Sequence, residues 1–387
     1  MKRLFVLFLA VMLLCGCAGK QETPTEPSQT QTIPQTKPQE TTQPTQETTQ
    51  PTTAPTEPEP QFFNPLTGEG MDQQVYARPY AVVLNNSKAA MPQHGVGAAD
   101  ILYEALIEGE TRCLGIFYNM NPETAKTLGT IRSARYYFIQ IAQSYDAIYV
   151  HNGQSSDEEI GAKQYFKKTG WNHMDAITSP GANKFYYRDR KELGYSYEHT
   201  LFIRPDGVVS LAEQLKFNTL REIPLDVGLT FNDDKLIIGD AAENVRVWFN
   251  FSGKPSPRWH KSTLLTYNKE EKVYYASQHH PDCVNNVIQD QPYVDGNTEE
   301  TVKFRNVLIL RTAVSQKKDS ELLYIQTTGS GSGIFLCNGQ AVEINWSREN
   351  VEDPFVYTLA ATGEEVTFGV GHTYVAVVPN KATVEIG

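Results

Sequence analysis

The chain has 387 residues, with 34 lysines and arginines against 45 aspartates and glutamates, so its formal net charge is −11 at pH 7. A chain this acidic is not expected to have nucleic acid as its main partner. Its length is sufficient for two domains with a core in each. It contains 20 tyrosines and 17 phenylalanines, and we expect most of these rings to pack in a β-rich interior.

The first twenty residues, MKRLFVLFLAVMLLCGCAGK, have the layout of a secretory signal. Lys2 and Arg3 precede an apolar run that is too short to span a bilayer comfortably. A small residue directly before a cysteine resembles the bacterial lipoprotein signal, so we predict a signal peptide over residues 1–16 and acylation of Cys17. A diacylglyceryl group on Cys17 supplies two chains, enough for stable anchoring to the outside of the cell membrane. The alternative is a secreted protein that is cleaved elsewhere.

A linker rich in Thr, Gln, Pro and Glu follows over residues 17–62. Ile33 is the only large aliphatic residue between residue 18 and Phe62, so this segment cannot bury enough surface to fold. The ends of such a flexible coil would lie roughly 40 Å apart on average. We therefore predict a disordered tether that holds a folded part away from the membrane.

The first folded domain is predicted over residues 63–222, where strand and helix patterns alternate. Its predicted elements are, in chain order, a strand in PYAVVLNN, a hairpin of two strands in DILYEALIEGETRCLGIFYN, a helix from Ile131 to Tyr145, a strand in AIYVHNG, a helix from Asp157 to Lys168 capped by Ser156 and Glu159, and a helix that starts after Asp206 and runs to about Lys216. This domain is therefore of the mixed α/β class.

The second domain is predicted over residues 223–387, where short alternating runs such as NVRVWFNF, KVYYASQ and NVLILRTAV are separated by turn signals. This pattern of short strands and turns predicts a mainly antiparallel β domain. The cysteines left after residue 17 are Cys113, Cys283 and Cys337, an odd number that makes a disulfide framework impossible to complete. The QHHPDC segment could supply metal ligands, but adjacent histidines on a strand point to opposite faces, so no metal site is predicted.

Two arginines, Arg132 and Arg135, stand at the start of the first predicted helix. Acidic residues are usual there, because the helix already presents partial positive charge at its N-terminus. A helix of about fifteen residues rises roughly 22 Å, and the strand that follows it returns roughly 20 Å. His151, at the end of that strand, is therefore expected beside the arginines. The sequence predicts an anion site or an acid–base site at this end of the domain.

Four charged residues of the predicted hairpin are candidate partners of these arginines. Glu108, Glu110 and Arg112 lie at its turn, and Glu104 is expected on the same face as Glu108 if the strand is regular. Two interpretations stay open at this point. The carboxylates either neutralise the arginines in a buried structural network, or they share the same charges with a ligand site.

Several stretches together resemble the YerB family of bacterial lipoproteins. They are RPYAVVLNN, GVGAADILYEALIEGETRCLGIFYN, GTIRSARYYFIQIAQSYDAIYVHNG and FYYRDRKELGYSYEHTLFI, with looser similarity in NVLILRT, NGQAVEINWSRE and GHTYVAVVP. The E-G-x-T-R and I-R-S-A-R blocks carry most of the specificity. The resemblance implies a layered α/β sandwich followed by a mainly β domain, in a family whose biochemical function is unknown.

The resemblance also indicates the positions that the family's pattern emphasises as candidate site residues. They are Glu104, Glu108, Gly109, Thr111, Arg112, Arg132, Ser133, Arg135, His151, Gly153, Arg188 and His199. Relatives tend to have Pro-His-Asn near the last histidine, whereas this chain has Tyr-Glu-His-Thr. The asparagine of that pattern is therefore absent at this position, and no role is assigned to it.

Three functions are compatible with this pattern. The first is an envelope lipoprotein that uses a cationic surface to bind an anionic cell-wall polymer or a partner protein. The second is an enzyme acting on cell-wall glycan or peptide, with Glu108 and His151 in acid–base roles. The third is a solute-binding lipoprotein. No nucleophile motif and no cofactor-binding motif is found, so binding is preferred and enzymatic activity is left open.

Overall fold

The structure is a computed structural model that describes residues 60–120, 122–123, 125–189 and 196–387. The predicted signal peptide (1–16), the acylation site Cys17 and nearly all of the predicted tether lie outside these residues. Within the described part of the chain, no helix is long and apolar enough to cross a membrane.

The α-helices of the described residues are short, and they all precede residue 215. They are α1 (Tyr136–Gln143), α2 (Ala162–Thr169) and α3 (Pro205–Gln214). Single 3-10 turns occur at Lys88–Ala90, Ala182–Lys184, Tyr197–His199 and Asp233–Lys235.

Strands are spread along the whole described chain. Those before residue 250 are β1 (Phe62–Phe63), β2 (Gly70–Met71), β3 (Tyr80–Leu84), β4 (Ile101–Leu106), β5 (Thr111–Phe117), β6 (Leu128–Gly129), β7 (Ile148–His151), β8 (His173–Asp175), β9 (Tyr186–Arg188), β10 (Leu201–Ile203), β11 (Thr230–Phe231), β12 (Asp240–Ala241) and β13 (Asn244–Trp248). Those after it are β14 (Ser262–Asn268), β15 (Val273–His279), β16 (Gln291–Pro292), β17 (Lys303–Phe304), β18 (Asn306–Thr312), β19 (Val314–Gln316), β20 (Leu323–Ile325), β21 (Gly329–Cys337), β22 (Gln340–Arg348), β23 (Val356–Leu359), β24 (Thr367–Phe368), β25 (Thr373–Pro379) and β26 (Val384–Ile386).

Eleven strands form one mixed sheet in the order β12-β22-β21-β18-β25-β4-β5-β3-β7-β8, with β23 paired to β22. Strand β25 is parallel to both β18 and β4, so strands from the two predicted domains are hydrogen-bonded in the same sheet. A second, antiparallel sheet has the order β16-β15-β14-β13-β26, with β17 beside β15. The predicted mixed fold with a mainly antiparallel second part is confirmed. The boundary between residues 222 and 223 stays a prediction.

The two faces of the large sheet have different neighbours, which is visible from the alternation along β4. The hydroxyl of Tyr103 lies 2.7 Å from that of Tyr145, just after α1, so this face packs against α1. Glu104 points to the opposite face, where it meets Lys261 directly before β14. Arg112 on β5 shares the face of Tyr103. The sheet therefore lies between α1 and the second sheet, and β3 and β5, covered on both sides, are buried throughout.

Helix α1 begins later than the sequence predicts. The segment before it is extended: Ile131 forms a β-bridge with Leu84, and the N–H of Arg132 donates to the carbonyl of Val83 at 3.0 Å. Arg135 is the N-cap residue, with φ −127° and ψ 145°. Pairing with the neighbouring strand thus overrides the helical periodicity of this segment. The two arginines precede the helix instead of occupying its first turn.

Helix α2 also begins late, at Ala162 instead of Asp157. The carboxylate of Asp157 accepts hydrogen bonds from two backbone N–H groups that follow it, both at 2.9 Å, and so shapes a turn before the helix. The hydroxyl of Ser155, not that of Ser156, accepts from the N–H of Ala162 at 3.0 Å. Helix α3 begins at Pro205, close to its predicted start.

Candidate functional site

The candidate site lies where the end of β7 meets the start of α1 and the turn between β4 and β5. The N–H of Asn152 donates to the carbonyl of Arg132 at 3.0 Å, and the N–H of Ala134 donates to that of Gly153 at 2.9 Å. The chain therefore doubles back after α1, as the lengths of the two elements predict. This contact places the arginines beside the strand end and opposite the hairpin turn.

Glu108 and Arg135 form a bidentate ion pair at this place. Nε of Arg135 donates to Oε1 of Glu108 at 2.8 Å, and Nη2 donates to Oε2 at 2.5 Å. Both side chains are largely buried. Burial by itself would raise the pKa of Glu108, but the hydrogen bonds and the charge of Arg135 outweigh it, so the pKa lies below its ordinary value. Glu108 is therefore an ionised carboxylate whose two oxygens are both occupied by Arg135.

Arg112 is the most deeply buried arginine of the site, with 4% of its surface exposed. Its Nη1 donates to the carbonyl of Ser133 at 2.7 Å. Burial lowers the pKa of Arg112 to about 10, and the positive charges of Arg135 and Arg132 act in the same direction. Arg112, Arg132 and Arg135, which we call the arginine cluster, thus repel one another, and among the described residues the buried carboxylate that pairs with the cluster is that of Glu108.

Arg132 occupies the outer edge of the arginine cluster. Its Nη1 donates to the backbone carbonyl of Glu198 at 3.0 Å and lies 3.7 Å from the carboxylate of the same residue, which is mostly exposed. Its Nε is buried and has no hydrogen-bond partner among the described residues. Sequence reasoning did not single out Glu198; its position directly before the candidate site residue His199 was the available signal.

His199 adjoins the arginine cluster. Nδ2 of Asn85 donates to Nδ1 of His199 at 2.8 Å, which leaves the hydrogen on Nε2, 3.4 Å from a carboxylate oxygen of Glu198. Burial lowers the pKa of His199, and the charge of Arg132 adds to this effect. The imidazole is therefore neutral and positions Asn85 and Glu198 around the arginines.

Arg188 lies at the far side of the same loop. Its Nη1 donates to the backbone carbonyl of Tyr197 at 2.7 Å, and its guanidinium stands 4.0 Å from the centre of the Tyr197 ring. A second hydrogen bond of 3.3 Å reaches the hydroxyl of Thr200. These contacts hold the loop that carries Glu198 and His199. Arg188 therefore stabilises the site indirectly, through its contacts with this loop.

Glu104 does not join the arginine cluster, contrary to the expectation from strand alternation. Strand β4 ends at Leu106, so Glu108 belongs to the turn and bends toward α1, while Glu104 stays on the opposite face. Glu104 is fully buried and forms an ion pair with Lys261. Hydroxyl groups of three residues also donate to its carboxylate; they are Thr111 at 2.6 Å, Thr263 at 3.0 Å and Tyr374 at 2.6 Å. It is a structural residue between the two sheets.

The side chain of His151 also turns away from the arginines. Nδ1 donates to the carbonyl of Gly153 at 2.7 Å, so Nε2 is the acceptor and receives the Nδ1 hydrogen of His173 at 2.9 Å. The ring stacks on Phe166 of α2. Burial lowers the pKa of His151 to about 4. Both ring nitrogens are occupied inside the protein, so the structure does not bring His151 and Glu108 together as an acid–base pair.

A cleft of about 420 Å³ opens on the side of the β4–β5 hairpin turn opposite the arginine cluster. Its walls include Glu108 and Glu110 from the turn, and Trp259 and Lys261 from the segment before β14. Trp259 is 61% exposed. Sequence reasoning missed this wall because nothing in the SGKPSPRWHK segment shows that it folds against a hairpin about 150 residues earlier.

Among the described residues, no group of three or more His, Cys, Asp or Glu side chains is arranged to hold a metal ion. In the QHHPDC segment, Nδ1 of His279 accepts from the N–H of Gln289 at 3.0 Å, and Nε2 donates to the carbonyl of Pro257 at 2.8 Å. Both nitrogens of this imidazole are therefore engaged by the backbone.

The fold and the site define a mixed α+β protein whose conspicuous feature is a mostly buried arginine cluster beside a hairpin turn. Residues 66–218 match the N-terminal domain, and residues 255–375 the C-terminal domain, of a family described as a protein of unknown function, DUF3048. The chain belongs to this family.

One relative is similar over most of its length. YerB of Bacillus subtilis (strain 168), whose name describes it as a candidate lipoprotein, is 27% identical over 318 residues, which cover 82% of this chain and 86% of YerB. The crystal structure of the YerB protein from Bacillus subtilis matches with a TM-score of 0.67 at 26% identity, covering 84% of this chain and 99% of that one. The resemblance read from the sequence motifs is thereby confirmed.

Proposed function

We propose that this protein is a membrane-anchored lipoprotein of the bacterial cell envelope whose arginine cluster binds an anionic group of a cell-wall polymer or an envelope protein. The similarity to YerB, a candidate lipoprotein, supports the anchoring. The signal-like N-terminus and the long polar segment after it support a location outside the membrane. The arginine cluster supports the binding role.

The grouping of the arginine cluster is the single observation that carries the binding proposal: Arg112 donates to the carbonyl of Ser133, which lies between Arg132 and Arg135 in the chain. A buried guanidinium is costly unless a carboxylate or another anion accompanies it. Both carboxylate oxygens of Glu108 accept hydrogen bonds from Arg135. Burial and the charges of Arg135 and Arg132 lower the pKa of Arg112 more than the charge of Glu108 raises it. Glu198 is mostly exposed, so water screens its contribution. A phosphate or carboxylate at this place would relieve the repulsion within the cluster.

Catalysis by Glu108 and His151 receives no such support. A general acid has to hold a proton near neutral pH, whereas Arg135 keeps Glu108 ionised. The imidazole of His151 is fully buried and already hydrogen-bonded at both nitrogens. Binding is therefore the better proposal for this group of residues.

The test is the affinity of the mature, membrane-anchored chain for poly(glycerol phosphate), compared with an uncharged dextran. Arg132 is the residue to change, because it is the most exposed arginine of the cluster and its Nε lacks a partner among the described residues. We expect Arg132→Gln to weaken binding of the phosphate polymer about tenfold. The wild-type affinity should also fall as salt is raised.

Arg258→Gln is the matched control, since Arg258 is an exposed arginine far along the chain whose Nε donates to the carbonyl of Cys283 at 2.9 Å. The Arg258→Gln variant should bind poly(glycerol phosphate) with the affinity of the wild type. Equal binding by Arg132→Gln with an unchanged melting temperature would reject the proposal, as would equal binding of dextran and the phosphate polymer.

A further inference from the structure

A second cavity, of about 560 Å³, lies between the Lys88–Ala90 turn and the second sheet. Its lining includes Lys88, Met91 and Pro92 on one side. Gln278 on β15 and His280 directly after it form the other side. None of these residues belongs to the arginine cluster, and the proposed function does not use them.

The polar floor of this cavity is incompletely hydrogen-bonded. Gln278 is 2% exposed, and its Oε1 accepts from Nε2 of His280 at 3.2 Å. Its Nε2 has no hydrogen-bond partner within the described part of the chain. A buried amide donor without a partner is costly, and such groups often lie where a ligand binds.

His280 supplies the complementary acceptor. Because its Nε2 carries the hydrogen given to Gln278, the neutral ring has its lone pair on Nδ1. Burial lowers the pKa of His280 to about 3, and nearby positive charges act in the same direction, so the ring stays neutral. The floor therefore offers one donor and one acceptor side by side.

The charge and the walls of the cavity narrow the class of ligand. Lys88 is the one formally charged side chain in the lining, it is exposed, and it forms no ion pair with another described residue. Met91 and Pro92 give an aliphatic wall. The aromatic residue of the lining, Tyr293, is 2% exposed, so no open aromatic face is present on which a sugar ring could stack.

We propose that this cavity binds the carboxyl-terminal end of an apolar peptide. The terminal carboxylate accepts a hydrogen bond from Nε2 of Gln278 and pairs with the ammonium group of Lys88. A backbone N–H of the peptide donates to Nδ1 of His280. The last side chains of the peptide pack against Met91 and Pro92, where their apolar surface leaves water.

The experiment uses the full mature chain and a fluorescent peptide, Ala-Ala-Val-Leu, with either a free carboxylate or a carboxamide at its C-terminus. Fluorescence anisotropy measures both affinities. We expect the free acid to bind about tenfold more tightly than the amide, as one charge-assisted contact predicts. Lys88→Gln, a change at an exposed position, should abolish this preference without affecting folding.

Gln278→Met keeps the length of the side chain and removes its hydrogen-bond donor. It should therefore lower the affinity for both peptides about tenfold. Gln289→Met, at an exposed position of the same lining, is the matched control and should bind like the wild type. Arg132→Gln should leave peptide binding unchanged, which separates this site from the arginine cluster.

The proposal is overturned if the acid and the amide bind equally, if neither binds saturably, or if Lys88→Gln retains the preference for the acid. Displacement of the peptide by an N-acetylated oligosaccharide would overturn it in favour of a glycan site.

Discussion

Charged residues that are close in sequence have different roles here, because strand geometry sends them to opposite faces of one sheet. Arg112 faces α1 and joins the arginine cluster, whereas Glu104 meets Lys261 on the other side. Residue type and spacing revealed that the charges were unusual. They could not reveal the face on which Glu108 lies, because that depends on where β4 ends.

At the residue scale, we predict that His151 makes folding stability depend on pH. Its pKa is about 4 in the folded protein and near 6.5 in an unfolded chain. The unfolded state therefore binds more protons between these values, and the folded protein loses stability as pH falls through this window, by up to about 3 kcal/mol. Urea denaturation of the wild type and of His151→Gln from pH 7 to pH 4 measures the effect.

The variant His151→Gln removes the titrating group, so its stability should fall less steeply across the same window. Buried histidines that do not contact His151 titrate in both proteins and cancel in the difference, whereas His173, which is hydrogen-bonded to His151, contributes to the measured effect. Parallel pH profiles for the two proteins would contradict the assignment of a neutral, buried His151.

At the element scale, the sequence predicted the strands β3, β4, β5 and β7 and the existence of α1, α2 and α3. The starts of α1 and α2 could not be predicted, because the residues before them bond to neighbouring strands or to the Asp157 carboxylate. These contacts depend on the tertiary structure, which local periodicity does not contain. The approach of His151 and Arg132 was predicted for the backbone, while the side-chain direction of His151 was not.

We predict opposite effects for two glycine substitutions in these elements. Gly109, in the β4–β5 turn, has φ +81°, so Gly109→Ala should destabilise the protein by about 1 kcal/mol. Gly207 lies in α3, where an added Cβ would meet Ile203 and Phe185 at an ordinary distance of 3.5 Å. Gly207→Ala should stabilise by about 0.5–1 kcal/mol.

Both effects are measured by thermal and chemical denaturation of otherwise identical chains. The sign of the difference is the test. Equal shifts in one direction would show that the backbone conformation of the β4–β5 turn does not control its stability.

At the scale of the whole described fold, the Glu104–Lys261 pair joins the large sheet to the second sheet. The carboxylate also receives the hydroxyls of Tyr374 on β25 and Thr263 on β14. The partners come from segments more than 150 residues apart, which is why sequence reasoning assigned Glu104 to a nearby arginine instead. The network links strands that precede and follow residue 222.

We predict that removing one charged partner of this network lowers the free energy of unfolding more than replacing both partners. Glu104→Gln leaves the buried ammonium of Lys261 without a counter-charge and should destabilise the protein by about 3–5 kcal/mol. In the double variant Glu104→Gln/Lys261→Met the buried charge is gone, so a large part of this loss should be recovered. Chemical denaturation of the two single variants, the double variant and the wild type gives the coupling energy. Additive losses would show that the two groups do not interact.

The position of β25 has a consequence for how the polypeptide acquires its structure. Residues 373–379 insert between β18 and β4, yet ribosomes make β4 some 270 residues earlier. Until that late segment is available, the edge of β4 that does not pair with β5 has no permanent neighbour and is open to wrong pairing. Completion of the sheet thus waits until residues 373–379 are available, and a chain truncated before residue 373 should be a substrate for proteases and chaperones.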